Sequence, residues 1–304
     1  MILTVTLNAA LDVTYRVERI RWGETNRVRD VTARGGGKGV NVARVLRALG
    51  EDAVVTGMAG GHTGQAIRDD LAAAGIPEQL MEIAAESRRT LVVAQKDRTI
   101  PLYEPGPKTT AAEWRTFLDR YRELLHSAEA VVLSGSLPGG VPAGAYATLA
   151  AQAGERGLPV VLDADGDALR LGLAARPTVA KPNRRELSAA LGAGVGNPLE
   201  AAERLRRAGA GAVVVTLGED GLVAATPDGC WAAPPPELVT GNPTGAGDAV
   251  AAALVLGLVR GRSWPDIIAS AAAMGAAAAR TPVAGEIDLA CLDRCRRVAE
   301  ARRL

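Results

Sequence analysis

Residues 39–57 read GVNVARVLRALGEDAVVTG and place a helical pattern directly before a strand-like one. Apolar residues recur at helical spacing from Val42 to Leu49, and Gly50 suits the C-terminal end of a helix. The run AVVTG (53–57) that follows is short, apolar and β-branched, as a strand buried on both faces would be. The stretch therefore predicts a helix followed by a strand of a parallel sheet.

Strand-like runs of the same kind recur along the chain, with helical stretches between them. They are ILTVTL (2–7), AVVLSG (130–135), PVVLDA (159–164), TVAKPN (178–183) and AVVVTLG (212–218). This alternation is typical of an open α/β fold, in which helices cover both faces of a mostly parallel sheet. Because no Gly/Ser linker or internal repeat divides the sequence, we predict one domain over residues 1–304.

Two regions depart from this pattern by alternating apolar and polar residues. They are residues 12–33 and 87–103, and they contain tight-turn candidates at Trp22-Gly23 and Lys96-Asp97. Such alternation indicates half-exposed antiparallel strands. We predict that the two regions form a small antiparallel β lid inserted in the main domain.

The composition indicates a globular chain without a strong electrostatic field. Of 304 residues, 48% are hydrophobic, and 35 Lys and Arg nearly balance 34 Asp and Glu. Neither nucleic acid nor an anionic membrane is favoured as a partner, whereas a small ligand is. The most apolar late segment, 249–259, is too short to span a bilayer, and Asn8 and Asp12 interrupt any secretory leader. We therefore expect a cytoplasmic protein without a membrane segment.

The cysteines and histidines offer little conventional chemistry. Three cysteines are an odd number and form no CxxC pair, which suits a reducing compartment better than a disulfide framework. Cys291 and Cys295 are four positions apart on a predicted helix. Two small apolar side chains on one helix face are the simpler interpretation, and a metal-binding pair is the alternative. His62 and His126 have no metal or triad spacing, so we do not expect histidine-based catalysis.

The stretch RGGGKGVNVA (34–43) is the first candidate for ligand binding, because ligands of open α/β sheets collect beyond the carboxyl ends of strands. Its glycines allow a ligand to approach the backbone closely. Lys38 lies at the positive end of the following helix, where a lysine is mildly unfavourable, which suggests that an anion holds it there. The alternative is a flexible loop with a solvated lysine. The stretch is not a P-loop, because Gly39 stands where Ser or Thr is required.

Further candidates follow other strands. Asp12 can accept hydrogen bonds from two sugar hydroxyls, or it can be an ordinary turn aspartate. SGSLPGG (134–140) directly follows a strand. In KPNRRE (181–186), Asn183 and Glu186 share one helix face, where they can order the waters of a nucleotide-bound Mg²⁺ or form a capping box.

The stretch GNPTGAGDAV (241–250) places Asp248 in or just before the first turn of an alanine-rich helix. An acidic residue there suits helix capping and the helix dipole. Capping does not explain the glycines before it, whereas close approach of another group to the backbone would. Free amides at a helix start can hold a phosphoryl group, and an adjacent aspartate can deprotonate an attacking hydroxyl.

In this order, the stretches resemble the ribokinase-like carbohydrate kinase family over nearly the whole chain. GGGKGVNVARVLRALG and NPTGAGDAVAAAL are similar to its two signatures. TLNAALD, SGSLPGGVP, KPNRREL and VVVTLGEDG are similar to its sugar-phosphate branch, which contains 1-phosphofructokinase and tagatose-6-phosphate kinase. The resemblance implies a ribokinase-like fold, ATP, Mg²⁺, a lid over the sugar, and a homodimer formed through that lid.

The resemblance also implies roles for individual residues. Asp248 would be the general base, and the amides of Gly245, Ala246, Gly247 and Asp248 would form an anion hole. The residues implied to hold the sugar phosphate are Asp12, Gly37, Lys38, Asn41, Arg88 and Ser136. Those implied to bind the nucleotide are Lys181, Asn183, Glu186, Thr216, Gly218 and Gly221, with Asn183 and Glu186 organising Mg²⁺ through water.

The implied reaction is phosphorylation of a ketohexose phosphate, namely fructose 1-phosphate at its 6-hydroxyl. Lys38 favours this branch, because the related minor 6-phosphofructokinases tend to have glycine there. Tagatose 6-phosphate and a non-phosphorylated sugar or nucleoside are the alternative acceptors. Tyr103, where the branch commonly has asparagine, lies near the expected sugar pocket. An alternative of a different class is a non-catalytic sugar-phosphate sensor.

Overall fold

A computed structural model describes residues 1–95, 98–192, 194, 196–237 and 244–304. Its strands are β1 (Ile2–Thr6), β2 (Ala10–Arg16), β3 (Asp30–Gly36), β4 (Ala53–Ala59), β5 (Glu78–Glu82), β6 (Arg88–Ala94), β7 (Thr99–Tyr103), β8 (Ala130–Ser134), β9 (Val160–Asp163), β10 (Val179–Ala180), β11 (Ala212–Thr216), β12 (Leu222–Thr226), β13 (Gly229–Ala233) and β14 (Arg302–Arg303).

The main sheet contains ten of these strands, in the order β14-β13-β12-β11-β10-β9-β8-β1-β4-β5. Every pair from β11 to β5 is parallel. All six predicted runs lie in this part, which confirms the parallel sheet, although β10 is only two residues long. The three pairs at the other edge are antiparallel and were not predicted.

Helices cover both faces of the sheet, as predicted. They are α1 (Lys38–Ala48), α2 (Gly61–Ala73), α3 (Ala111–Leu124), α4 (Ala145–Gly154), α5 (Gly166–Gly172), α6 (Arg184–Leu191), α7 (Pro198–Arg207), α8 (Ala246–Val259), α9 (Trp264–Ala279) and α10 (Leu289–Val298). One hydrophobic core contains buried residues of α1, α2 and α8 to α10, and the other contains those of α3 to α7. Among these described helices, none is both long and apolar enough to cross a membrane.

Helix α8 is unusual because it is buried all round. Every residue from Asp248 to Gly257 is buried, so this helix lies inside the molecule rather than on its surface. It packs mainly against α9 and also contacts α1. An acidic side chain at its start is therefore enclosed by protein.

The predicted lid is a separate four-stranded sheet in the order β3-β2-β6-β7. The β2–β3 and β6–β7 pairs are antiparallel as expected, whereas the central β2–β6 pair is parallel because the two hairpins lie side by side in the same sense. Strand β2 begins at Ala10 and β3 continues to Gly36, so the lid extends slightly beyond its predicted bounds. The predicted turn at Trp22-Gly23 is present; Lys96-Asp97 lies outside the described residues.

Candidate active site

The predicted functional residues gather beyond the carboxyl ends of five neighbouring parallel strands. Strands β1, β8, β9, β10 and β11 all end at this edge, and helices α1, α6 and α8 begin near it. Asp163 is the last residue of β9, and Lys181 directly follows β10. This arrangement matches the usual position of ligand sites in open α/β sheets.

Four charged residues at this edge form a cluster, which we call the charge cluster: Lys38, Asp163, Lys181 and Glu186. Lys38 Nζ lies 3.0 Å from Asp163 Oδ1 and 3.0 Å from Glu186 Oε1. Lys181 Nζ lies 3.2 Å from the same Asp163 oxygen. Burial opposes ionisation of Asp163, but the ammonium groups of Lys181 and Lys38 hold its pKa below the usual range. The anions that hold Lys38 in this structure are thus protein carboxylates.

Asp163 was not among the predicted site residues. Its side chain is fully buried, and its Oδ2 atom has no hydrogen-bond partner in the part of the chain that the structure describes. A signal was available in PVVLDA, because a carboxylate that ends a buried apolar run stands at the ligand-binding edge of the sheet. Carboxylate oxygens, one of them unpartnered, are suitable ligands for Mg²⁺.

Asp248 occupies the first turn of α8 but does not cap it. The N-cap residue is Gly245, which has no side chain to accept a capping hydrogen bond. Instead, Asn41 Nδ2 donates a hydrogen bond to Asp248 Oδ2 at 2.8 Å. Burial, reinforced by the negative charge of Asp163, raises the pKa of Asp248 to about 7. The carboxyl group can therefore exchange a proton near neutral pH.

The glycines before Asp248 have separate structural reasons. Gly245 has φ +90°, and a Cβ atom added there would lie 2.8 Å from the Cα atom of Ala284, so the close approach that the sequence indicated comes from the chain itself. At Gly247, an added Cβ atom would meet Lys181 Nζ at 3.4 Å. The Lys181 ammonium group is thus adjacent to the amides of the first turn of α8, a combination that suits an anion. Residues 241–243 lie outside the described residues.

Asn183 and Glu186 form a complete capping box at the start of α6. Glu186 N donates to Asn183 Oδ1, and Asn183 N donates to Glu186 Oε2, both at 2.9 Å. The capping interpretation is therefore confirmed. The second oxygen of Glu186 contacts Lys38, so the same residue belongs to the charge cluster.

The other predicted nucleotide residues lie beside this capping box. Asn183 pairs with Thr216, the last residue of β11. Gly218 begins the turn after β11, and Gly221 ends it. The backbone of Gly221 packs tightly, because an added Cβ atom would lie 2.2 Å from Ala233 O. These residues share one side of the site.

The predicted sugar residues lie on the lid side. Asp12 hydrogen-bonds to Thr90 on the neighbouring strand β6, a partner that the sequence did not indicate. Burial raises the pKa of Asp12, although Thr90 and Arg88 oppose this. Arg88 Nε donates to Asn8 O at 3.3 Å, and Asn8 Nδ2 donates to Ser136 Oγ at 3.0 Å. Gly37 is the N-cap residue of α1 and has φ +111°.

This fold and site define a class of phosphotransferase that comparison with known proteins identifies. Residues 3–289 match the pfkB family of carbohydrate kinases. The chain belongs to this family and is an ATP-dependent sugar kinase with a ribokinase-like fold.

Three solved structures are similar to the chain. Phosphofructokinase-2 from Escherichia coli, in complex with potassium, is 28% identical over 97% of this chain and 98% of that one, with a TM-score of 0.90. A possible 1-phosphofructokinase from Thermotoga maritima is 28% identical over 100% of this chain and 99% of that one, with a TM-score of 0.89. Ribokinase from Arabidopsis thaliana, complexed with ribose and ATP, is 19% identical over 97% of this chain and 98% of that one. Its TM-score is 0.75, and it shares the fold.

Proposed function

We propose that this kinase transfers the γ-phosphoryl group of ATP to the 6-hydroxyl of fructose 1-phosphate, which yields fructose 1,6-bisphosphate and ADP. The observation that carries the proposal is the buried Asp248 carboxyl, whose pKa is about 7. It stands in the first turn of α8, whose start also approaches Lys181. A proton acceptor and an anion-binding helix start therefore lie side by side, as phosphoryl transfer requires. The similarity to a possible 1-phosphofructokinase supports the choice of acceptor.

In the proposed mechanism, Asp248 accepts the proton of the attacking hydroxyl. Asn41 holds one carboxylate oxygen of Asp248 by a hydrogen bond, which orients the other oxygen toward the substrate. A pKa near neutrality suits a general base, because the group is ionised in the working range and still accepts a proton readily. The amides of Gly245, Ala246 and Gly247 and the Lys181 ammonium group stabilise the negative charge on the transferring phosphoryl group. The Asp248 amide, predicted to belong to this anion hole, instead donates a hydrogen bond to Gly245 O at 3.0 Å.

Magnesium fits the acidic side of the charge cluster. We propose that Asp163 and Glu186, with Asn183, hold Mg²⁺ through water, since the oxygens of these side chains are its preferred ligands and Asp163 Oδ2 is unpartnered among the described residues. Bound there, the ion would neutralise charge on the nucleotide phosphates. Thr216, Gly218 and Gly221 would line the nucleotide on the adjacent side of Asn183.

The sugar phosphate is proposed to lie between the lid and α1. Asp12 accepts hydrogen bonds from sugar hydroxyls, and Gly37, Asn41 and Ser136 border the same space. Arg88 is half-buried on β6, the lid strand that pairs with β2, which carries Asp12. Its guanidinium group would bind the phosphate at the 1-position, and Lys38 would contribute a second positive charge from α1.

An ADP-release assay over a panel of acceptors tests the function. The panel is fructose 1-phosphate, fructose 6-phosphate, tagatose 6-phosphate, fructose, ribose and adenosine. We expect the highest kcat/KM for fructose 1-phosphate. Preferential turnover of any other member would overturn the acceptor, and tight sugar-phosphate binding without turnover of any member would identify a sensor rather than an enzyme.

Replacing Arg88 with Met is expected to raise the KM for fructose 1-phosphate by about 10- to 100-fold with a smaller change in kcat, because a hydrogen bond to a charged group contributes about 1.5–3 kcal/mol. Steady-state kinetics at saturating ATP measure the effect. Arg89→Met is the matched control, since Arg89 is exposed and paired with Glu104. Equal effects of the two substitutions would argue against a specific phosphate contact by Arg88.

We also propose that two copies of the chain associate through the lid. The lid exposes apolar side chains on both its edge strands: Val31 on β3 is 57% exposed, and Leu102 on β7 is 52% exposed. Exposed apolar residues on sheet edges are typical of interaction surfaces. The Escherichia coli relative has been solved in a tetrameric form, which supports oligomerisation in general.

A charged residue on the lid edge tests this association. Leu102→Glu is expected to convert a dimer to a monomer in sedimentation-velocity measurements, because a buried charge without a partner opposes association. Leu289→Glu is the control, because Leu289 is similarly exposed, 49%, but belongs to α10 outside the lid. A dimer that survives Leu102→Glu and dissociates with Leu289→Glu would place the interface elsewhere.

A further inference from the structure

Two thiols and a carboxylate meet where the segment after β13 contacts α10. Cys291 Sγ donates a hydrogen bond to Glu237 Oε1 at 3.0 Å, and the Sγ atoms of Cys291 and Cys295 are 3.7 Å apart. Among the described residues, these three form a group whose potential metal-ligating atoms all lie within 4.8 Å of one another. The phosphoryl-transfer mechanism proposed above uses none of them.

The separation of the sulfur atoms suits a tetrahedral ion. A Zn–S bond of about 2.3 Å and a tetrahedral angle give a sulfur–sulfur distance of about 3.8 Å. The observed 3.7 Å is close to this value without any movement of α10. A Zn–O bond of about 2.0–2.2 Å would place the carboxylate oxygen about 3.5–3.7 Å from each sulfur. Glu237 Oε1 is 3.0 Å from Cys291 Sγ, so it would move slightly away from this sulfur when the ion binds.

Burial and charge also suit a thiophilic divalent ion. Cys291 and Cys295 are 0% and 1% exposed, whereas the Glu237 side chain is 33% exposed and provides an entry path. Two thiolates and one carboxylate with a divalent cation would leave one negative charge. The guanidinium groups of Arg280 and Arg294, 3.8 Å and 3.6 Å from Glu237 Oε1, compensate it. Paired thiolates select zinc over magnesium or calcium.

We propose that Glu237, Cys291 and Cys295 form a Zn²⁺ site separate from the phosphoryl-transfer site, with water as the fourth ligand. Binding displaces the two thiol protons to solvent. The ion joins α10 to the segment after β13. Asp288 supports the arrangement, because its Oδ1 atom accepts a hydrogen bond from Cys291 N at 2.9 Å and its Oδ2 atom lies 3.4 Å from Arg280 Nε.

Metal binding by the purified full chain tests the site, under reducing conditions and without nucleotide, which would itself bind zinc. We expect about one Zn²⁺ per chain by elemental analysis after gel filtration and a rise in Tm on Zn²⁺ addition. Substituting Co²⁺ should produce the charge-transfer absorption of cobalt bound to thiolates. Cys291→Ser and Cys295→Ser should lose these signals, whereas Cys230→Ser should retain them, because Cys230 lies on β13 and contacts Glu203 instead.

A milder substitution keeps the test decisive if the serine variants do not fold. Glu237→Gln changes a partly exposed side chain and is expected to weaken zinc binding at least about tenfold in competition with a chelator of known affinity. An unchanged affinity in Glu237→Gln would overturn the proposal. So would the absence of Zn²⁺ from the wild-type chain at micromolar free metal, or a cobalt absorption that survives in folded Cys291→Ser.

Discussion

Replacing Asp248 with Asn is expected to lower kcat by about 10²- to 10⁴-fold, the usual contribution of a general base. The amide matches the carboxylate in size and can still accept the hydrogen bond from Asn41, so the start of α8 should stay intact. The kcat/KM of the wild-type enzyme should rise with pH to a plateau above an apparent pKa of about 7. The residual kcat/KM of the variant should lack this rise with pH.

The same substitution is expected to raise Tm under mildly alkaline conditions. The pKa of Asp248 is about 7 in the folded protein against an ordinary 3.8, so ionisation is harder when the chain is folded. Below pH 3.8, both states hold the proton and no stability is lost. Stability falls as the pH rises from 3.8 to about 7, because the unfolded chain has then released the proton while the folded chain still holds it, and it stays lower above about pH 7. Because Asn cannot ionise, the variant escapes this loss.

Kinetics and thermal unfolding at about pH 5 and about pH 8 test both effects, since the stability difference between variant and wild type should grow with pH. Asp119→Asn is the control, because Asp119 is an exposed carboxylate on α3 that pairs with Arg122. It should change neither turnover nor the pH dependence of Tm. Full activity of Asp248→Asn would exclude its role as the base. A Tm difference between variant and wild type that is the same at both pH values would contradict the raised pKa.

The second large effect is expected from Lys38→Met. This change leaves Glu186 without its ammonium partner and leaves Asp163 paired with Lys181 alone. Removing one partner of a buried ion pair costs about 3–5 kcal/mol, and we expect up to about 3 kcal/mol because the Lys38 side chain is 34% exposed. The kcat/KM for fructose 1-phosphate should fall as well, since Lys38 is proposed to contact the sugar phosphate.

A double variant separates the two consequences of losing Lys38. Adding Glu186→Gln removes the unpaired negative charge, so Lys38→Met/Glu186→Gln should regain part of the unfolding free energy without regaining activity. Denaturant unfolding and ADP release measure the two quantities. Lys108→Met serves as the control, because Lys108 is exposed. An unfolding free energy that Lys38→Met leaves unchanged would show that the charge cluster contributes no stability.

Local sequence patterns were sufficient for six of the seven parallel strands, and the edge strand β5 (Glu78–Glu82) was missed because its sequence EQLME is not a continuous apolar run. Short β-branched apolar runs at 2–7, 53–57 and 130–135 correspond to β1, β4 and β8, because a strand buried on both faces needs apolar residues throughout. The antiparallel edge was missed despite the hairpin signal at Asp228-Gly229. The parallel β2–β6 pair joins residues far apart in the chain, and no local pattern records such a pairing.

In the candidate site too, some residues were predictable from local sequence and others were not. Glycines, a lysine and an aspartate at the starts of helices are local features, and with the family resemblance they placed Lys38, Asn183 and Asp248 at one edge of the sheet. Which groups meet there depends on packing. Asp163 became part of the site only because β9 lies between β8 and β10, which sets its carboxylate between two lysines.

Asp248 illustrates why the sequence alone predicts the position of a site residue but not its pKa. Its position at the start of a helix follows from the residues around it in the chain. Its pKa follows from burial of the start of α8 by the elements packed around it, from the hydrogen bond of Asn41 and from the charge of Asp163. These groups come from distant parts of the sequence. Local conformation and strand burial are encoded by neighbouring residues, whereas the energy of a buried charge depends on every group that folding brings near it.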